Sequence, residues 1–526
     1  MWWGVISERR PNLRPAAGRV SFSEAMRAWF AGDFEACLAL CDRVRPHGTA
    51  MVSEIALLRA RALLRVGRPQ DAIDVVRAVF VAHGTLDASL TARMLLGQGY
   101  VRLGEPERGL AILAGAARAS NGAHPTIRSE IALNVALANY ALRRLDDAER
   151  ALEDVSEDAD IVHARALEYR AWIAAARADF VAATAGFRAA LERLDACRHR
   201  DRFLEANATM ALATFAAERV DRQSWLIAER RRERIAWEGD ALATLRHGLA
   251  LAASKVYELD GRIRDALEAA HEAELVSPNA GYALLAQCRR AAVFRIAGET
   301  HAHADAVARM RRALEALDPA TWHNDEQHGL PLAVAEEVAY AGDALGARAL
   351  LKRYAELRSS SMLAIAGNAR ESAQLTFVEA VVADAEGDHG VAHHHYRDAF
   401  RTFTKIGYER RALFAALRLA ELTGQTYLFE YVERTLRRVA PASPLRERAR
   451  RMNPAAAGND PTLGALSATE RAVLRMLCSG HTTREIAALR GRSQQTVRNT
   501  VSRILHVFEV PTRAALLREC ARRGIA

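Results

Sequence analysis

The 526-residue chain predicts an all-α fold, a helical-hairpin repeat superhelix followed by a small four-helix domain. Three observations predict it. From about residue 20 to 439, amphipathic stretches of 12–16 residues alternate with very short breaks, and period-2 runs are scarce. One short phrase recurs at those breaks. The last 61 residues then change character: Leu466–Ala526 hold eleven arginines against four glutamates, a net of +7. Residues 1–439 balance 58 basic against 58 acidic groups, so almost all of the chain's +9 sits at one end. A basic module attached to a neutral body points to a polyanion, nucleic acid first.

The elements follow in order. Residues 1–19, opening MWWGVISERRPNLRP, form an N-terminal segment without an apolar run of signal-peptide length. The body, 20–439, repeats a break phrase: a turn-tolerant residue, often an acidic one, and a small residue five positions after the first. It reads GDFEAC at Gly32, GRPQDA at Gly67, GEPERG at Gly104, RRLDDA at Arg143 and ADFVAA at Ala178. It continues as GRIRDA at Gly261, GETHAH at Gly298, GDALGA at Gly342 and GDHGVA at Gly387, with a degenerate copy near Arg219. The spacings run from 35 to 45 residues, the range of helical-hairpin repeats. Glycine ends the first helix in a left-handed conformation, Asp or Pro opens the second, and Ala72, Ala148 or Ala266 lets the two approach. Each hairpin has an apolar face it cannot bury alone, so neighbours stack.

Residues 440–465, with prolines 441, 444, 454 and 461 and glycines 458 and 464, are expected as a flexible linker. Order resumes at 466–526. Ser467–Glu470 and Thr482–Glu485 are capping boxes opening two helices, the first burying Val473, Leu474 and Leu477 and stopping at Gly480. Gly491 breaks the second, and Ser493 caps a third running to about Val507. Its apolar stripe is Val497, Val501, Ile504, Leu505 and Phe508; its outer face presents Gln494, Gln495, Arg498, Asn499, Ser502 and Arg503. Two helices joined by a tight glycine turn, the second polar outside, make a helix-turn-helix. Arginine can fork onto guanine O6 and N7, and Asn or Gln onto adenine N6 and N7. Thr483, Arg484, Ser493 and the helix N-terminus are suited to phosphates. After Pro511, Thr512 caps a fourth helix expected to end at Gly524, with Leu516 and Leu517 on the core.

Two resemblances rest on these residues. The body resembles the tetratricopeptide-repeat family, with Trp29, Gly32, Ala72, Val76 and Phe80 at its bulky and small positions. It departs in having longer units and in mostly lacking the closing proline. Residues 466–526 resemble the LuxR-type helix-turn-helix domain of bacterial transcription regulators through LSATERAVLRMLCSGHTTREIA, SQQTVRNTVSRI and VPTRAALL. That resemblance implies that Arg498, Asn499 and Ser502 face bases and that the last helix dimerises. Arg490 and Arg492 stand where the family has aliphatic residues, and Thr500 where it often has His. A charged Arg490 cannot sit uncompensated in a core, so the turn packs differently or the side chain reaches toward phosphate.

Other chemistries find little support. Six cysteines occur without a C-x-x-C pair, and Cys37 and Cys41 lie one helical turn apart, which suits a reducing compartment. Only Lys255, Lys352 and Lys405 occur among seventy arginines, and none follows glycine, so no phosphate-cradling G-x-x-x-x-G-K-[ST] is present. His389, His393, His394 and His395 include an i,i+4 pair but no H-E-x-x-H, and His301 and His303 are weaker. Trp172, Trp225, Trp237 and Trp322 read as repeat-core residues. No 18-residue apolar run occurs, so a cytoplasmic location is expected. The expectation is a regulator that is not an enzyme, with no cofactor and no metal. Its partners would be double-stranded promoter DNA, a second copy of itself, a protein, peptide or small-molecule signal at the repeats, and RNA polymerase. The alternative is a repeat scaffold whose terminal domain binds protein.

Overall fold

The computed structural model describes residues 21–80, 85–198, 200–235, 242–319, 329–360, 369–453 and 461–522. Residues 1–19, Trp237, Trp322, Pro454, Gly458 and the expected helix end at Gly524 lie outside the described residues. Every regular element among the described residues is a helix, so the chain is all-α. The chain divides into two compact units, Met1–Phe215 with Gln223–Leu249, and Ala216–Arg222 with Ala250–Ala526.

The first unit is built from α1 (Phe22–Ala31), α2 (Phe34–Arg43), α3 (Thr49–Arg65), α4 (Pro69–Phe80), α5 (Leu86–Arg102) and α6 (Pro106–Arg118). It continues with α7 (Pro125–Ala141), α8 (Leu145–Glu153), α9 (Asp160–Ala176), α10 (Phe180–Ala196), most of α11 (Arg202–Arg219) and α12 (Arg222–Arg232). Consecutive helices pack as hairpins, and the first helices of successive hairpins also touch, α3 on α5, α5 on α7 and α7 on α9. The second unit takes up the same plan with most of α13 (Ala243–Leu259), which begins in the first unit, then α14 (Ile263–Leu275), α15 (Ala280–Ala297) and α16 (Thr300–Glu315). Then come α17 (Leu330–Tyr340), α18 (Ala344–Ser360), α19 (Ala369–Ala385), α20 (His389–Lys405), α21 (Glu409–Thr423) and α22 (Thr426–Val439).

The break phrase is the point where the backbone turns left-handed. Its first residue has positive φ at every copy, from 77° at Gly67 to 89° at Gly342 among the glycines, 58° at Arg143 and 60° at Ala178; in the degenerate copy Val220 takes the role at 55°. The first helix stops there, and the next residues open the second. Asp33, Asp179 and Asp388 accept N–H bonds from Ala36, Ala182 and Val391. Pro106 occupies a first-turn position that needs no donor. Ala72, Ala148 and Ala266 are buried, as close hairpin packing requires. Trp29 is buried against Phe34 with ring centroids 5.0 Å apart. Trp225 is buried, and Trp172 stacks edge-on to Phe187 at 5.0 Å.

The expected linker is not unstructured throughout. Residues Pro444–Met452 form α23, which packs on α21 and α22 and buries Leu445 and Ala449. Pro444 sits in the first helical turn, where a missing N–H costs nothing, so proline content does not exclude a helix there. Arg446 and Arg448 tie α23 down through Glu433 at 3.1 Å and Glu421 at 2.5 Å. A four-residue turn, α24 (Pro461–Gly464), precedes the terminal domain.

Candidate nucleic-acid interface

Four helices make the terminal domain: α25 (Ala468–Cys478), α26 (Thr483–Arg490), α27 (Gln494–Val507) and α28 (Arg513–Arg522). Both capping boxes form. The Ser467 amide donates to Glu470 at 2.7 Å and the Glu470 amide returns a bond to Ser467 Oγ at 3.2 Å. Thr482 and Glu485 repeat the exchange at 2.6 and 3.3 Å. Gly491 turns left-handed at φ 60° and closes α26, and Ser493 Oγ then accepts the Thr496 amide at 3.1 Å to start α27. The turn between the two helices is therefore fixed at both ends.

Val497 and Ile504 of α27 and Phe508 at its C-cap are buried, with Val501 and Leu505 partly so. They meet Val473, Leu474 and Leu477 of α25, Ile486 and Leu489 of α26, and Leu516 and Cys520 of α28. Seating that stripe leaves the other face outward. Gln494, Gln495, Arg498, Asn499, Ser502 and Arg503 are all exposed, as are Ser493 and Arg484, while Thr483 is half-buried. Gln495 donates to Asn499 Oδ1 at 3.0 Å. Arg498 makes no hydrogen bond or ion pair with any described residue, which keeps its guanidinium available.

Arg503 is different. Its Nε lies 2.9 Å from Glu470 Oε1, although 69% of the side chain is exposed. Burial opposes the Glu470 charge, but the Ser467 hydroxyl and amide, with Arg503, hold its carboxyl below the usual range. One glutamate thus caps α25 and ties α27 to it, a second task that the capping-box pattern did not announce.

The domain rests on the last hairpins of its own unit. α20 packs on α26, and α21 on both α25 and α26. The His389 and His481 rings lie 4.5 Å apart. Gly424 approaches so closely that a Cβ there would stand 2.8 Å from Ala472 Cβ. Arg490 is half-buried and donates through Nη1 to the Thr423 carbonyl at 3.4 Å, at the C-terminal end of α21. That placement answers the question the sequence raised. Arg490 turns to the negative end of a body helix rather than to phosphate. Its departure from the family's aliphatic residue was the one sequence signal of this contact; His481 and Ala472 carried none.

The histidines do not converge. His389, His394 and His395 each approach a separate carboxylate, Asp384 at 3.3 Å, Asp398 at 3.4 Å and Glu379 at 3.9 Å. Buried His303 bonds Glu337 at 3.0 Å. No metal-holding group of His, Cys, Asp and Glu occurs among the described residues. The described cysteines are all free thiols. No helix among the described residues is long and apolar enough to cross a membrane.

Residues 464–520 match the family described as bacterial regulatory proteins, luxR family. No curated protein matches the chain in sequence. Among solved structures it is similar to the APC/C hetero-tetramer Cut9-Hcn1, at 16% identity, covering 86% of this chain and 89% of that one with a TM-score of 0.37. It is also similar to a Rap protein complexed with competence and sporulation factor, at 14% identity, with 72% and 98% covered and a TM-score of 0.40. The apo quorum sensor NprR from B. thuringiensis aligns at 12% identity, with 80% and 97% covered and a TM-score of 0.31.

Proposed function

We propose, taking residues 464–520 as the luxR-family domain they match, that this chain is a DNA-binding transcription regulator governed by its helical-repeat body. The observation that carries the reading is the outer face of α27. Six polar or basic side chains stand exposed on a helix whose other face is seated in a core. In this reading α27 enters the major groove. Arg498 forks onto a guanine, and Asn499 exchanges its Gln495 bond for an adenine edge. Gln494 and Ser502 complete the base-reading set. Thr483, Arg484, Ser493 and the start of α27 hold phosphates, and Arg503 reaches the backbone from its Glu470 anchor.

One such domain makes few base contacts, so two copies are needed for useful affinity. Pairing through α28 would place two reading helices about one DNA turn apart, roughly 34–36 Å. A joined second copy acts at an effective concentration on the mM scale. The body's control would act on pairing of the domains or on access to α27. The signal is received by the repeats, and RNA polymerase is a further partner.

The test is binding of the full chain to duplexes selected from a random pool, measured against salt. A steep fall of affinity with salt and recovery of a shared sequence support the reading. Retention that ignores both salt and sequence contradicts it and favours the protein-binding scaffold.

A further inference from the structure

The body is neutral in sum, but its charge is not spread evenly. Residues 145–160 hold eight acidic side chains against Arg150 alone, along α8 and the turn into α9. Half of the eight are engaged. Arg177 pairs with Asp146 and Glu149, Arg150 with Asp147, and Arg193 with Asp160 at 3.3 Å. The other four, Glu153, Asp154, Glu157 and Asp158, are exposed and make no ion pair with any described residue.

The backbone that carries them is held firmly. Val155 and Ala159 are buried, and the Ser156 amide donates to Ser129 Oγ at 3.1 Å. Arg170 and Arg193 donate to the Leu152 and Glu157 carbonyls at 3.1 and 2.9 Å. Two guanidiniums beside the turn thus hold its main chain, while the four unpaired carboxylates repel one another.

The opposite surplus lies where the repeats of the second unit end and the terminal domain begins. On α22 and α23, Arg437 and Arg446 share Glu433, and Arg448 shares Glu421 with Arg418 of α21. That pairing stops at the last turn of α23. Arg450 comes no nearer than 3.9 Å to Glu447, with 59% of its side chain exposed. Arg451 is exposed and makes no ion pair with any described residue. Two residues on, the Asn453 carbonyl accepts a bond from Arg475 Nη2 at 2.9 Å, which sets α25 beside the end of α23. Arg471 stands one helical turn before Arg475, and neither meets a carboxylate among the described residues. Both lie off the face where Val473, Leu474 and Leu477 enter the core shared with α27, so the patch is separate from the reading face.

We infer that the acidic α8–α9 turn of one copy docks on the arginine patch of a second copy, formed by Arg450, Arg451, Arg471 and Arg475 at the junction of α23 and α25. Four carboxylates on a fixed turn meet four guanidiniums on two packed helices, so charge is complementary and little backbone ordering is needed. The planar guanidinium fork suits carboxylates. The contact joins two different surfaces. Each copy can therefore hold one neighbour at its turn and another at its patch, and association continues past two copies. The contact leaves α27 free and its test contains no DNA, so it and the regulator reading can each fail alone.

The experiment is sedimentation of the full chain over a range of concentrations at about 50 and about 300 mM sodium chloride. Species larger than a dimer should form at the lower salt, with affinity falling about tenfold or more at the higher. Asp154→Lys with Glu157→Lys in one protein, and Arg451→Glu with Arg471→Glu in another, should each abolish them. An equal mixture of the two proteins should restore them, because each reversed surface then finds an opposite one. The milder pair Asp154→Asn with Glu157→Gln should also weaken assembly, and should melt no earlier than the parent because it relieves like-charge repulsion. No assembly past a dimer in the parent at low salt, assembly that persists in both reversed proteins, or a mixture that fails to recover it overturns the inference. Assembly lost in Arg498→Ala but kept in the reversed-patch protein would place the contact on α27 and overturn it too.

Discussion

Arg498 and Arg484 carry similar charges but opposite expectations. Arg498 is exposed in the middle of the outward face of α27, so its loss should remove discrimination at one base position, about 1–3 kcal/mol, without unfolding the domain. Arg484 lies in the first turn of α26 and is suited to phosphate. Arg484→Ala should weaken all sequences alike and reduce the salt slope by about 1. Competition binding with matched and scrambled duplexes separates the two; equal loss for both kinds of DNA in Arg498→Ala would place base reading elsewhere. At the repeat turns, Val220 is the costliest left-handed residue, being β-branched at φ 55°. Val220→Gly should raise stability by about 1 kcal/mol in urea melts, and an unchanged or lower midpoint would mean that the side chain repays its strain in packing.

Among elements, the terminal domain was the most legible part of the sequence. Ser467, Thr482, Ser493, Gly491 and Thr512 are local signals whose physics needs no tertiary context, and the helices start and stop where they indicate. The repeat phrase was legible for the same reason, down to the degenerate copy where Val220 replaces glycine. What stayed hidden depends on tertiary partners: the packing of α23 on α21 and α22, the Glu470–Arg503 tie, and the seat of Arg490 on α21. Gly424 tests that seat. It is left-handed at φ 67°, and any side chain would press on Ala472. Gly424→Val should therefore loosen α25 from α21, seen as faster amide exchange in residues 468–478 with the helix content unchanged. Protection equal to the parent's would show that this contact does not hold the domain.

At the scale of the second unit, the docking contact should respond to pH. Burial, then the neighbouring His389, lowers the pKa of His481; Asp384, Glu485 and the Met476 carbonyl act in the opposite sense. Arg418 pairs with that Asp384, and Arg513 donates to the His481 carbonyl at 2.7 Å. A state that releases His481 regains an ordinary value near 6.5 and so binds more protons below it. Docking is therefore complete above about pH 6.5 and weakens as the pH falls below that toward the lowered value. Amide exchange in α25 and α26 at pH 7.5 and 5.5 should show this loosening, and His481→Phe should flatten it. A profile that is the same in parent and variant would assign the pH effect to other groups.

Charge asymmetry was readable from composition alone, because net charge needs no fold. The direction in which α27 faces was readable from helical spacing.

The central claim is that α27 reads DNA. It is tested most directly by selecting bound duplexes from a random pool with the full chain, and with Arg498→Ala and Asn499→Ala beside it. The parent should yield a shared motif, and each variant the same binding to bulk DNA with the motif degraded at one or two positions. Identical motifs from all three proteins, or no enrichment by the parent at low salt, would contradict it.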